Sequence, residues 1–423
     1  MLSWAVSKLR LGSCCTVLPV SAKNGHKEQH LTNCLEWTTQ MVPKLLLLTA
    51  FFTLVLLLLH GGFNSNQTPE ARQNRVGPTT AFRVPQGLST KPTKGPVQPL
   101  VKGMKCGEVQ HRFPDSMPPI VHWTTKDGRV HKKLINIVQS WQLLNKNSSI
   151  KWYYMHWDDY QISRLVEKHY PQLSKSYAKL SNGLERSDIG RLVVLHHVGG
   201  MYVDLDVELR RDLSPLLMPN SESRGDNSTA ASSSVGNCRT ALWSQEPPEH
   251  AAFIFNRPSL ISNAVMMSRA NHSFLNYVVN TWPAWFEANW AKKRRGIHQA
   301  IHVTGPGMLQ NFYDKYAAMR KAERPDDWCN EMIAEPEMFQ PIMDENFIRS
   351  WLRTNCGNSA RMARLSESKQ EHCRQIKCAN FKNRAVPSTS YTVHRFMHLS
   401  YGAMKLDDSE CIMRMLPILT CTI

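Results

Sequence analysis

The sequence predicts an α/β domain built on a mostly parallel sheet with crossover helices, preceded by one transmembrane helix and a flexible stem. Three observations carry this. Strand-like and helix-like segments alternate from residue 119 onward, the order that parallel sheets need. Leu45–Leu59 contains no charged residue. Residues 64–105 are rich in Pro, Thr, Gln and Gly and poor in large apolar side chains, so they cannot bury a core and read as the stem.

The apolar run approaches 20 residues when Met41–Pro43 and Gly61–Phe63 are added, about the length that crosses a bilayer. No polar face interrupts it and no Ala-x-Ala site follows it. A signal anchor at 44–63 is therefore expected rather than a cleaved signal peptide. Residues 1–43 then form a cytosolic tail, with Met41 as an alternative start. Lys and Arg are sparse beside the span and do not orient it. The sequons do: Asn66, Asn147, Asn227 and Asn271 all follow the span, which places the C-terminal part in a lumen where asparagine is glycosylated. Eight of the 11 cysteines also follow it, enough for up to four disulfides in an oxidising compartment, with the pairing open.

Apolar residues make up 42% of the chain, which suits a real core. The net charge of +17 raises nucleic acid as a partner. No zinc-finger spacing, RRM signature or basic helix supports it, so nucleic acid is not expected. The one dense basic run, Lys292–Arg295, reads as a solvated helix end, with phosphates or an acidic acceptor as the alternative contact.

The folded domain is expected over 106–423, with a disordered insertion at about 219–237. Pro119–Trp123 reads as a buried strand. Val130–Asn145 has Leu134, Ile137, Val138, Trp141 and Leu144 at helical spacing. Lys151–Trp157 reads as an aromatic-rich strand, and Asp158 as the N-cap of a helix that stops before Pro171.

The informative segment is Ser187–Glu208, SDIGRLVVLHHVGGMYVDLDVE. Leu184–Val198 predicts a helix, which Gly199 and Gly200 end. Met201–Val203 predicts a short buried strand that delivers Asp204 and Asp206 at its C-terminal end, where open α/β sheets bind ligands. Carboxylates at alternate strand positions share a face and can share a hard cation such as Mn²⁺ or Mg²⁺. Asp188 and Arg191, at i and i+3, occupy one helical face; the carboxylate can bind sugar hydroxyls, and the guanidinium a hydroxyl or phosphate oxygen. A lone Asp-x-Asp or a lone Asp–Arg pair is more often a surface feature. The ordered combination is the signal.

That combination resembles the sugar-binding region of the Asp-x-Asp glycosyltransferases, the family of the yeast initiating α-1,6-mannosyltransferase and the inositol-phosphoceramide mannosyltransferases. The resemblance spans about residues 118–401. It rests on Pro119–Trp123, Trp157-Asp158-Asp159, Ser187-Asp188 with Arg191, Gly199-Gly200-x-Tyr202-x-Asp204-x-Asp206, Asn263 with Asn271–Phe274, and Thr304-Gly305-Pro306. It implies a GT-A-type nucleotide-sugar transferase fold, a UDP-sugar or GDP-mannose donor, retention at the anomeric carbon, and a glycan, glycolipid or glycoprotein acceptor in the Golgi lumen. It implies that His122, Trp123, Tyr202 and Asn263 line the donor pocket, that Asp188 and Arg191 bind the donor sugar, that Asp204 contacts ribose or sugar, and that Asp206 ligates the metal. The family closes with a His before Ser-Trp; here His394 and His398 precede Ser400-Tyr401. If Tyr391–Leu399 is one strand, these two lie roughly 13 Å apart at about 3.3 Å per residue, so only one joins the metal.

Two other classes compete with this reading. A phosphatase of the haloacid dehalogenase type needs Thr or Val two residues after the second Asp, where this chain has Glu208. A catalytically inactive transferase-like binding or scaffold protein stays as the alternative, although every motif carboxylate is present.

Overall fold

The computed structural model describes residues 100, 103–113, 116–180, 182–217, 240–290, 297–323, 331–399 and 408–423. The expected tail, anchor and most of the stem, the 219–237 insertion, the Lys292–Arg295 run and Ser400-Tyr401 lie outside the described residues. Among the described residues no helix is long and apolar enough to cross a membrane.

The domain is a mixed α/β fold around a seven-stranded, largely parallel sheet. Strand β1 (Ile120–Thr125) pairs in parallel with β3 (Tyr153–Asp158) and with β4 (Gly200–Val203). The last strand, β11 (Ile418–Leu419), joins β3, also in parallel. On the other side β7 (Ile261–Ser268) runs antiparallel to β4 and to β6 (Ala241–Gln245), and β8 (Glu331–Ile333) closes that edge. Because β1, β3 and β4 are parallel, their C-terminal ends form one rim.

Alternation along each strand builds two cores. Ile120, Met155, Tyr202, Trp243 and Met266 face one side; Val121, Tyr154, Met201, Leu242 and Val265 face the other. The first face carries α3 (Asp159–His169), α4 (Pro171–Ala178), α5 (Gly183–Val198), α7 (Ser273–Trp290) and α9 (Pro306–Glu323), the last preceded by the short α8 (Ile297–Val303). Asp158 caps α3 as expected, in a capping box with Gln161. Helix α5 is buried at every position from Asp188 to Val198, so it is central rather than amphipathic. A third, smaller core gathers Phe253 of α6 (Pro248–Phe255), Leu352 and Ile376 of α10 (Glu367–Cys378) around the Cys356–Cys373 disulfide.

Four details differ from expectation. The helix expected over Val130–Asn145 is broken: Arg129–His131 is strand β2, paired with β10 (Ser409–Cys411), and the α-helical part is split into Ile135–Ser140, α2, and the single turn Leu144–Asn147, with 3₁₀ turns before and between them. The β2 pairing takes the first turn of the apolar pattern away from the helix. The fold also starts before Cys106. Leu100 and Met104 are buried in the first core, and Lys105 bridges Thr422 beside α1 (Cys106–Arg112) and the Cys106–Cys421 disulfide.

The other two concern the site. The C-terminal strand covers only Thr392–His394 (β9), paired with β5 (Val207–Leu209); Phe396 and His398 have φ of 49° and 52°, so the chain leaves extended geometry. Finally, β4 ends at Val203, and Asp204–Asp206 form a turn closed by Val207 N–H donating to Asp204 O at 3.0 Å.

Candidate active site

The site lies on the rim where β4 ends. Two glycines bring it there. Gly199 and Gly200 have φ of 74° and 102°, and a Cβ on Gly200 would stand 2.6 Å from Ile120 O. Only glycine ends α5, reverses direction and lets β4 lie this close to β1.

Arg191 organises the inner half. Its Nη1 donates to Asn263 O at 2.8 Å and pairs with Asp204 at 3.1 Å, while Nη2 faces Asp188 Oδ1 at 3.3 Å and Ser187 Oγ at 3.3 Å. Nε donates to Ser187 O at 3.3 Å, and the guanidinium lies 4.6 Å from the Tyr202 ring centroid. The five N–H donors thus face protein acceptors. The resemblance makes Arg191 a donor-sugar ligand; here it holds two carboxylates in place. Asp188 accepts from Asn263 Nδ2 and Thr304 Oγ1, both at 2.8 Å. Burial pushes the Asp188 carboxyl up to about 6 against the pull of Arg191 and Thr304. Asp204 also accepts from Tyr202 OH at 2.8 Å, and burial raises its pKa although Arg191 opposes the rise.

Asp206 is held from far along the chain. His394 Nε2 stands 3.1 Å from its Oδ1, and the Met397 N–H donates to its Oδ2 at 2.8 Å. Arg395 N–H donates to Asp206 O at 2.9 Å. The residues after β9 therefore wrap around Asp206 instead of extending the strand. Burial alone would raise the Asp206 carboxyl; His394 and the Met397 N–H overcome it and hold it at about 2. Burial likewise opposes the charged imidazole, yet Asp206, Asp204 and Glu246 hold the His394 pKa at about 9.

Asp204, Asp206 and His394 offer ligand atoms that all lie within 4.8 Å of one another. Two carboxylates and one imidazole are a donor set that suits a divalent cation. Of the two closing histidines, the cluster takes His394. His398 sits instead against Asp344 Oδ2 at 2.9 Å.

Two expected donor-pocket residues are placed elsewhere. Trp123 is fully buried in the second core, edge-on to Trp141 at 5.6 Å. His122 is also fully buried, and both ring nitrogens are spent: Nε2 donates to Gly199 O at 2.7 Å and Nδ1 accepts from Trp157 Nε1 at 3.1 Å. Burial lowers its pKa to about 4, so it braces the Gly-Gly turn as a neutral ring. The side chain that β1 sends to the rim is Thr124, bonded to Ser187 Oγ at 2.7 Å and Tyr202 OH at 3.1 Å. Thr124 shares the His122 face two residues on, so alternation from His122 was the available clue. Tyr202 and Asn263 reach the site through Asp204 and Asp188. Of the sequons, Asn271 is exposed with φ of 51° and bonds Gln110 Oε1 at 3.3 Å, Asn147 ends the short helix Leu144–Asn147, and Asn66 and Asn227 lie outside the described residues.

Residues 131–224 match the family model described as glycosyltransferase sugar-binding region containing DXD motif, so the chain carries that region, with Asp188, Arg191, Asp204 and Asp206 inside it. The family that the motifs resemble is the one whose model matches this segment. Inositol phosphoceramide mannosyltransferase 3 of Schizosaccharomyces pombe is 26% identical over 225 residues, 53% of this chain and 52% of that protein. Inositol phosphoceramide mannosyltransferase 1 of the same yeast is 24% identical over 205 residues, 46% of this chain and 57% of that protein. The chain thus spans about half the length of the curated relatives it matches. Among solved structures, the galactosyltransferase LgtC with donor and acceptor sugar analogs is 9% identical, with a TM-score of 0.32, over 70% of this chain and 93% of that one.

Proposed function

We propose that this protein is a divalent-metal-dependent, retaining glycosyltransferase of the GT-A type. It moves a sugar from a nucleotide-sugar donor, UDP-linked or GDP-mannose, to a glycan, glycolipid or glycoprotein acceptor. The observation that carries the reading is the pairing of two constellations on one strand end: Asp188 and Arg191 beside Asp204, and Asp204 with Asp206 and His394. Asp188 keeps free lone pairs beyond its bonds to Asn263 and Thr304, so it orients sugar hydroxyls. Arg191 opposes the rise that burial imposes on the Asp188 and Asp204 carboxyls and fixes both side chains. Asp204, Asp206 and His394 would hold Mn²⁺, which neutralises the negative charge that develops on a departing diphosphate. Preorganised groups of this kind lose little to reorganisation during reaction.

We further propose a single-pass type II arrangement in the Golgi membrane, with the domain luminal and its sequons glycosylated. The Cys106–Cys421 and Cys356–Cys373 disulfides support an oxidising compartment.

The test is a panel of UDP- and GDP-sugars, assayed for hydrolysis and transfer with Mn²⁺ and with chelator. One donor should be consumed, with retention in the product, and chelator should stop it. Donor binding without turnover on any acceptor would favour the inactive scaffold. Glycosidase treatment should lower the apparent mass, and protease added to sealed microsomes should spare the domain.

A further inference from the structure

The His394 ring makes two side-chain hydrogen-bond contacts, and only one of them is to an acid. Nε2 faces Asp206; Nδ1 lies 3.2 Å from Gln340 Oε1. Gln340 is fully buried, with its backbone N–H tied to Pro336 O at 2.7 Å. An amide has two different ends, and the surroundings decide how this one lies. Its Nε2 donates to Ser244 Oγ at 3.3 Å. The Ser244 hydroxyl hydrogen is already committed to Val265 O at 2.6 Å, so towards Gln340 the serine can only accept. Gln340 therefore turns Oε1, an acceptor without a hydrogen, to His394.

The consequence falls on the imidazole. Nδ1 must be the donor to Gln340, so a neutral ring carries its lone pair on Nε2, the nitrogen that faces Asp206. The relay starts from the sheet itself: Val265 of β7 pairs with Val203, the residue before Asp204. The strand paired with the one that presents the aspartates thus also fixes, through Ser244 and Gln340, the nitrogen offered by their distant partner.

We infer that Gln340 is a positioning residue of the candidate metal site, selecting the His394 tautomer that presents Nε2 to a divalent cation, with Ser244 setting the amide's orientation. This rests on the metal reading above. An apolar side chain of similar volume would fill the same space without selecting a tautomer. Outer partners of this type alter metal affinity by about 10–100-fold.

The test titrates the full chain with Mn²⁺, following free Mn²⁺ by electron paramagnetic resonance, alongside the melting temperature without metal. Gln340→Leu should raise the Mn²⁺ Kd at least about tenfold. Gln340→Glu, which accepts from Nδ1 more strongly, should keep the Kd within about threefold of wild type or tighten it. Ser244→Ala frees the amide to turn and should weaken binding by a smaller factor; it decides the matter if Gln340→Leu does not fold. A wild-type Kd in Gln340→Leu, or equal weakening in Gln340→Glu and Gln340→Leu, overturns the inference while leaving the metal reading standing. If wild type itself takes up no Mn²⁺, both fall.

Discussion

Asp204 and Asp206 stand two residues apart and are held in different ways. Asp204 is gripped by Arg191 and Tyr202, partners 13 and 2 positions away in the chain. Asp206 is gripped by His394 and the Met397 amide, 188 and 191 positions away. The grip on Asp204 is therefore a local device, made within one helix, one Gly-Gly turn and one strand, while Asn263 and Thr304 reach only its neighbours Arg191 and Asp188. The closing side exists only once the C-terminal segment has come back. A further difference lies in charge: Arg191 brings a permanent cation to Asp188 and Asp204, whereas His394 brings one that a metal can replace. The first arrangement is a fixed scaffold and the second an exchangeable seat.

The largest expected effect comes from breaking the seat. Asp206→Asn should lower metal-dependent donor hydrolysis on the order of a thousandfold and move the Mn²⁺ activation curve to higher concentration. Near-normal turnover at ordinary Mn²⁺ would remove Asp206 from the metal. Next is the scaffold. Arg191→Ala leaves two buried carboxylates without their cation and should cost about 3–5 kcal/mol of stability in denaturant unfolding, along with activity. If activity vanished while stability stayed put, Arg191 would be a substrate ligand after all and the comparison would lose its basis.

Acid and alkali should separate the two sides. Burial holds His122, His196 and His197 at about 4, below the ordinary histidine value of 6.5. The unfolded chain takes up protons that these rings refuse, so their contribution is intact above pH 6.5 and lost as pH falls toward 4. His394, held at about 9, works in reverse: its contribution is present below pH 6.5 and lost as pH rises through 9. Hydrogen exchange on the metal-free protein should show α5 and β1 loosening in acid and β5 and β9 loosening in alkali, at about 1.4 kcal/mol per histidine per pH unit inside each window. Loosening of both regions at the same end of the scale would contradict the assignment. The smallest effect belongs to His398→Ala, which should leave the Mn²⁺ curve unchanged and cost up to about 1 kcal/mol through its half-exposed contact with Asp344.

The same division governs what could be read in the chain beforehand. Helix α5, the Gly-Gly stop, β4 and the Asp158 cap were legible because their causes are neighbours: periodicity, a left-handed turn, a side chain reaching three residues on. Asp188, Arg191, Asp204 and Asp206 came with them. The roles of Thr124, Gln340 and Ser244 were not legible, since each depends on a partner brought by another strand or the returning chain. His122 and Trp123 sat in a correctly placed strand, but burial turned their rings inward. His394 could not be separated from His398 while both were assigned to one strand; the positive φ at Phe396 and His398 ended that strand, and its cause, the wrapping of Asp206, lies far away in sequence.

The clasp between the two ends of the fold has a mechanical meaning. Gly103 N–H donates to Thr420 O and Thr422 N–H to Met104 O, and the Cys106–Cys421 disulfide joins the same two segments covalently. Tension applied between residue 103 and residue 423 is carried across that bond and passes around residues 107–420. Helix α5, β4 and β9 all lie off the load path. The rim that carries the candidate site is thus shielded from force on either end of the domain for as long as the disulfide is intact, and reduction would route the same force directly through it.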